Sequence, residues 1–508
     1  MIRSGKTLFI TVLVLASYIF LASPYLASEK FSPEPHNHYQ FLTAGFLSGH
    51  LSLSLQPLPE LLALKNPYDP LQNVKYRLHD ATLYKEKYYL YFGPLPIVTY
   101  YLPFKLITGL YPTPTSAVLI YLSMGFMIGF YLLIQIRQRY LPNISDIKLY
   151  LAGLLFGLST NMPFLLTRPS FYENAISSTY CFTMLALFFL YKLLHEFRLR
   201  NIILFSSSLT LTIAGRPHFI LIFFPIFIAI ALYSYTFHRS ISWPRLLIAL
   251  FTPLLIVGTI LAIYNYLRFD SLWEFGQNYQ LAGVNMRECS IFSLQFYHNM
   301  ASGFYHYMVQ PYAIYPMFPY IHYPNFTVLP KDTPYYYEYS LGLLCTTPII
   351  AFVLGLPGLL EFNFKNNRAH FEPLLWFILF TSLIPLIILL FLISLSASTQ
   401  RYESDFAPYF VFLAILAWWL FNHCQLKPFL LKLFNTLFFI GSIISLYIGF
   451  TLGINDWLQL SSRFYIHNNF IILTPEKLIV LFITLIAAYF IILPQILFFL
   501  RNAKKASD

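Results

Sequence analysis

Long apolar runs alternate with short polar hinges along almost the whole chain. Runs of roughly 16 to 24 residues lie near 7–27, 115–136, 148–166, 175–194, 201–215, 217–235, 246–266, 339–361, 372–396, 406–422, 429–451 and 476–500. As a helix, such a run covers about 30 Å of hydrocarbon, whereas a β-barrel would show short strands of alternating polarity. The pattern predicts an all-α polytopic integral membrane protein of about twelve transmembrane helices. A thirteenth apolar run, Phe92 to Leu110, carries Pro94, Pro96 and Pro103. Whether it spans sets the sidedness of everything after it.

Charge decides that question. Of 508 residues 57% are hydrophobic and only 10% charged, and the net charge of +11 is dispersed among the hinges. That dispersal excludes a nucleic-acid surface, which would gather its cations on one face. If Phe92 to Leu110 does not span, the hinges Arg137 to Lys148, His195 to Arg200, His238 to Arg245, Lys365 to His370 and His423 to Lys427 share one side. The tail Arg501 to Lys505 and the N-terminal Arg3 and Lys6 join them there, as the positive-inside rule requires. Both termini are then cytoplasmic, and Phe92 to Leu110 lies along the outer interface among Tyr88, Tyr89, Tyr91, Tyr100 and Tyr101.

Two large loops then face outward, residues 28–114 and 267–338. The first contains Gln40 to Leu55, whose Phe41, Leu42, Ala44, Gly45, Leu47, Leu51 and Leu55 form a helical apolar stripe and predict a second interfacial helix. The second loop is crowded with tyrosine, which suits an interface belt and loop packing, or sugar stacking. The run at 7–27 reads as a retained helix rather than a cleaved signal peptide, because the amphipathic segments after it need an anchor. Cys181, Cys289, Cys345 and Cys424 are far apart with no CxxC, so no disulfide framework or thiolate metal site is indicated. One module over 1–450 and a C-terminal loop, helix and tail over 451–508 complete the layout.

Polar residues collect at the outward ends of the spans. They are Glu34, His36, His38, Asp69 and Asp80; Arg168 and Glu173; Arg216 and His218; Arg268, Asp270 and Glu274; and Arg401, Glu403 and Asp405. In "AGRPHF" a tight turn holds Arg216 at the membrane boundary, where a guanidinium either forks onto a lipid phosphate or snorkels and caps carbonyls. "RYESDF" is either a functional cluster or a short hinge in which Arg401 pairs with Glu403 or Asp405. Asp80 and Glu34 are either solvated loop carboxylates or functional acids. Glu34, His36 and His38 have a spacing compatible with a divalent metal, but no metal ligand is assigned.

The layout resembles the C superfamily of glycosyltransferases, membrane enzymes that use lipid-phosphate sugars and include protein mannosyltransferases and the aminoarabinose transferase of lipid A. "YFGPLPIVTYYLPFKLITGL" is similar to the superfamily's second interfacial helix. "HDATLYKEKYYLYFGPLP", "SFYENAISSTYCF", "AGRPHF", "YNYLRFDSLWEFGQNYQLAG" and "RYESDFAP" together resemble large bacterial proteins described as glycosyltransferase-like. The acid pair usual after the first span is replaced by "SPEPHNHYQFL", in which only Glu34 is acidic.

The resemblance implies transfer of a sugar from a polyprenyl-phosphate donor to a glycan, lipid or protein acceptor at the outer face of the inner membrane. On that reading Asp80 is the leading general base, Glu34 the second candidate and Glu173 an orienting acid. Arg216 and Arg401 bind the donor phosphate with help from His218, while Arg168, Arg268, Glu274, Glu403 and Asp405 support the site. Lys85 and Lys87 would keep the Asp80 carboxylate ionised. No cofactor is implied beyond a divalent metal that the site would tolerate. The competing reading is a lipid-linked saccharide translocator or envelope-assembly protein, favoured by the missing acid pair. A transporter, however, should place charges near the bilayer midplane rather than at span ends.

Overall fold

The computed structural model describes residues 5–237, 241–287, 296–316, 320–324, 327, 329, 335–366, 368–424 and 427–457. Seven helices there are long and apolar enough to cross a membrane: Lys6–Ser28, Pro114–Tyr140, Phe171–His195, Pro217–Phe237, Trp243–Phe269, His370–Ile393 and Pro428–Ile454. Four other expected crossings are shorter or broken. Leu199–Ile213 and Ala407–His423 are short apolar helices. The run near 148–166 is helix Asp146–Leu158 followed, after a break, by the single turn Met162–Leu165. The run near 339–361 becomes a 3-10 stretch Pro348–Gly355 leading into Leu356–Asn366. The last expected span, 476–500, and most of the 451–508 unit lie outside the described residues.

Small residues let these helices approach closely, as in membranes generally. A Cβ on Gly125 would enter the ring of Tyr180, and one on Gly129 would enter Phe156. The first helix is part of the bundle: Val14, Tyr18 and Leu21 are fully buried, and the Tyr18 hydroxyl donates to the Gly157 carbonyl at 2.8 Å.

The basic hinges meet at one end of the bundle. Arg137 pairs with Asp146 at 2.7 Å, Tyr140 and His195 share a hydrogen bond at 2.6 Å, and the Lys148 ammonium donates to Asn422. His370 packs on Tyr140, and His423 on Phe371. The segments expected to face outward meet at the other end.

The loop over 28–114 forms a cap with its own apolar cluster, including Tyr39, Leu42, Leu53, Leu61, Leu83, Tyr88, Leu90, Ile97 and Tyr101. The predicted interfacial helix over Gln40 to Leu55 is therefore corrected. Helix His38–Leu47 is only 10 residues long, starts on an Asn37 cap and ends before Gly49 at φ 76°. Tyr39 and Leu42 on it are fully buried in the cap core, while Leu47 at its end is exposed. The other prediction agrees with the structure. Ile97–Tyr101 and Leu102–Thr108 form one helical segment, at roughly 18 Å too short to cross hydrocarbon. It leaves Val98, Leu106 and Ile107 exposed.

The lysine and tyrosine cluster before it is a hairpin. Thr82–Tyr84 pairs antiparallel with Lys87–Tyr89. Lys85 and Glu86 form its two-residue turn with φ of 45° and 59°, the handedness that tight hairpins require.

Candidate active site

The two outer loops are zipped together by backbone hydrogen bonds. Asp80 N–H donates to Leu281 O at 3.1 Å and Leu281 N–H to Ala81 O at 2.9 Å. The Thr82 hydroxyl donates to Gly276 O at 3.1 Å, and Arg77 to Ala282 O at 2.6 Å. Thus "HDATLY" and "FGQNYQLAG", about 200 residues apart in sequence, form one wall. A parallel pairing of Tyr336–Glu338 with Ala397–Thr399 builds the opposite wall.

Between the walls lies a cavity of about 620 Å³ lined by Tyr25, His79, Asp80, Tyr91, Arg168, Ser170, Tyr172, Gln277, Gln280, Ala282, Tyr336, Glu338, Ser396, Arg401 and Tyr402, among others. Asp80 is 8% exposed and takes a left-handed backbone at φ 58°, an uncommon conformation that short polar side chains tolerate. The Tyr172 hydroxyl donates to its Oδ2, His79 Nε2 stands 3.8 Å from the same oxygen, and Oδ1 lacks a well-formed hydrogen bond. Burial pushes the Asp80 carboxyl above the usual carboxylate range, against the opposing pull of His79, Gln280, Arg401 and Arg77. The expected ionising role of Lys85 is corrected, because that ammonium is engaged by Asp270 at 2.6 Å on the hairpin tip. Lys87 is exposed.

Facing Asp80 is an arginine pair. Arg168 Nη2 donates to Glu338 Oε1 at 2.7 Å, while Arg401 reaches Oε1 at 3.3 Å and Oε2 at 2.9 Å. The Arg401 guanidinium also lies 4.3 Å from the centre of the Tyr172 ring. The chain Asp80, Tyr172, Arg401, Glu338, Arg168 is continuous. Arg401 does not pair with Glu403 or Asp405 as its sequence neighbourhood suggested.

The remaining predicted residues separate by location. Arg216 is buried and pairs with Asp405 at 2.5 Å, and His218 Nε2 lies 3.4 Å from the same Asp405 oxygen. Arg216 also stacks 5.0 Å from the ring centre of Tyr402, so it sits behind the cavity wall rather than in it. Glu173 is fully buried and accepts from Ser170 N–H at 3.0 Å and from the Ser170 hydroxyl, closing the capping box of its helix. Glu403 is buried and accepts from Gln400 at 2.9 Å. Arg268 donates to Leu90 O and to Asn265, both at 2.7 Å, and holds the hairpin strand from beneath. Glu274 accepts from Gly276 N–H and Asn278, both at 2.6 Å, and shapes a turn.

Glu34 does not reach the cavity. It is exposed, with its N–H bonded to Ser32. His36 also turns to Ser32, whereas His38 is buried against Phe171 with Nε2 3.0 Å from His79 O. Burial lowers the His38 pKa to about 4, and the two imidazoles diverge. Among the described residues no group of three or more histidine, cysteine or acidic side chains could hold a metal.

Glu338, Tyr172, Gln280 and Tyr402 are absent from the sequence-based assignment. Glu338 lies in "PYYYEY", where its tyrosine neighbours suggest an interface belt, and only strand pairing brings it to Arg401.

No family model matches the sequence, and no curated protein matches it. Solved structures that are similar include the following two. ArnT from Cupriavidus metallidurans bound to undecaprenyl phosphate shares 10% identity over 90% of this chain and 77% of its own, with a TM-score of 0.42. The archaeal oligosaccharyltransferase AglB from Archaeoglobus fulgidus, in complex with an inhibitory peptide and a dolichol-phosphate, shares 11% identity over 90% of this chain and 56% of its own, with a TM-score of 0.34. At these identities and scores the likeness is to a general helical layout and reaches no individual residue.

Proposed function

We propose that this protein is a membrane glycosyltransferase that moves a sugar from a polyprenyl-phosphate donor to an acceptor hydroxyl on the outer face of the inner membrane. One observation carries the reading: a buried carboxylate, Asp80, shares a cavity with the arginine pair Arg168 and Arg401 at the outward end of the bundle. A carboxylate lifted by burial is a stronger base, and paired guanidiniums suit a phosphate leaving group.

In the reaction the acceptor oxygen attacks the anomeric carbon of the donor sugar. The new C–O bond forms as the bond from that carbon to the phosphate oxygen breaks, and the lipid phosphate departs with the electron pair. The acceptor proton passes to Asp80 and from there to water in the cavity. Charge growing on the leaving phosphate is met by Arg168 and Arg401 in a site where burial strengthens the contact. Tyr25, Tyr91 and Tyr336 offer rings on which a sugar can stack. Arg216, through Asp405 and Tyr402, positions the Arg401 hinge rather than touching donor.

The test is transfer of radiolabelled sugar from polyprenyl-phosphate donors in membranes. Asp80→Asn and Arg401→Ala should abolish transfer while Glu34→Gln retains it. Full activity of Asp80→Asn would refute the assignment.

A further inference from the structure

Two arginines share one carboxylate in the cavity, and it leaves a buried N–H of Arg401 unmet. Glu338 offers two oxygens to Arg168 Nη2, Arg401 Nη1 and Arg401 Nη2. The geometry is imperfect: Glu338 Oε2 makes no well-formed hydrogen bond despite its 2.9 Å approach to Arg401. Arg401 Nε is buried with no acceptor, and the residue is only 9% exposed. A buried guanidinium N–H without a partner is costly, and a phosphate has more acceptor oxygens than a carboxylate with which to meet it.

Charge argues in the same direction. Among the described residues, Glu338 pairs with both Arg168 and Arg401, and Glu173 and Asp80 interact with Arg401 at longer range. An incoming anion at Arg401 therefore meets resident carboxylates as well as the guanidiniums. Glu338 must yield its place for a phosphate to bind. Its strand is short, three residues paired to three, and the carboxylate side chain is 20% exposed on the cavity side.

We infer that Glu338 is an internal competitor for the phosphate group: it occupies the arginine pair when the site is empty, gives way to the lipid phosphate, and returns to help expel the product. This rests on the lipid-phosphate reading above and adds a residue and a direction to it. A phosphodiester donor carries one negative charge and the monoester product nearly two, so a resident carboxylate offsets product retention more than donor binding.

The experiment measures binding of undecaprenyl monophosphate to the purified full-length chain in detergent, by calorimetry or native mass spectrometry, with no need for turnover. Glu338→Gln keeps the shape and an acceptor for Arg168 but removes the competing charge. It should bind the lipid phosphate at least about tenfold more tightly than wild type. Glu338→Asp keeps the charge and should bind as wild type does. Inorganic phosphate as a second probe should show the same order, since the competition is for the headgroup. Equal or weaker binding by Glu338→Gln, with wild type binding normally, overturns the inference and leaves the donor reading standing. Failure of every form, wild type included, to bind the lipid phosphate overturns that reading and this inference with it.

Discussion

At the scale of single residues, Asp80 joins three properties that a base needs: burial, a raised proton affinity and an oxygen without a firm partner. Its replacement by Asn should lower transfer by about 10²- to 10⁴-fold, the range typical of losing a positioned base, while leaving lipid-phosphate binding in place. The folded pKa is raised, so the acid limb of kcat/KM should lie above the ordinary Asp value near 4. Tyr172 donates to the ionised form, and losing such a bond favours the protonated acid. Tyr172→Phe should therefore move that limb to higher pH, and a pH profile showing no shift or a downward one would contradict the assignment. Asp80 was visible in the sequence as a loop acid beside His79 and ahead of a lysine and tyrosine cluster. Its burial was not, because that depends on Leu281 and Gln280 arriving from the other loop.

At the scale of elements, the hinge over 400–405 shows how a charged string in sequence divides its labour in space. Arg401 points to the cavity, Glu403 inward to Gln400, and Asp405 back to Arg216. Arg216 and Asp405 are almost fully enclosed, so Arg216→Met should strand a buried carboxylate and cost about 3–5 kcal/mol. The double variant Arg216→Met with Asp405→Leu should recover much of that loss, and detergent-phase melting temperatures of both variants would show it. Glu403 has a separate signature. Burial holds its carboxyl well above the usual range, so the folded chain binds that proton more tightly than the unfolded one. The stabilisation is complete below the unfolded value near 4.3 and is lost as pH rises through the folded-state pKa. Glu403→Gln should flatten that decline of melting temperature with rising pH, and an unchanged slope would argue against it.

The same scale explains what could be read and what could not. "AGRPHF" was legible as a tight turn at a membrane boundary. Its contact with "YFGPLP" was not: Leu95 N–H bonds Ala214 O at 3.0 Å, and a Cβ on Gly93 would collide with that carbonyl. The helix over 38–47 was legible as amphipathic, but periodicity gives an apolar face without saying whether lipid or protein covers it.

For the whole molecule, counting charges by side separated the two ends of the bundle. Hinges around Arg137, His195, His370 and His423 meet at one end, and the cavity residues meet at the other. Single cysteines at Val98 and Gln138, in a background lacking the native ones, should label from opposite faces of the membrane, with residue 98 reached from outside. Labelling of both from one face would invalidate the fold of the crossing between them.

The sequence by itself determined the helical class, the expected crossings and that polar residues gather at span ends. Those follow from local quantities: apolar length against hydrocarbon thickness, and the free energy of charge in lipid. Tertiary structure alone decided which of the outward charges share a cavity, that Arg216 answers Asp405 while Arg401 answers Glu338, and that Glu34 stays outside. Such pairings join residues 63 and 189 positions apart through strand register and loop docking, and no local pattern records a contact whose two halves are that far apart.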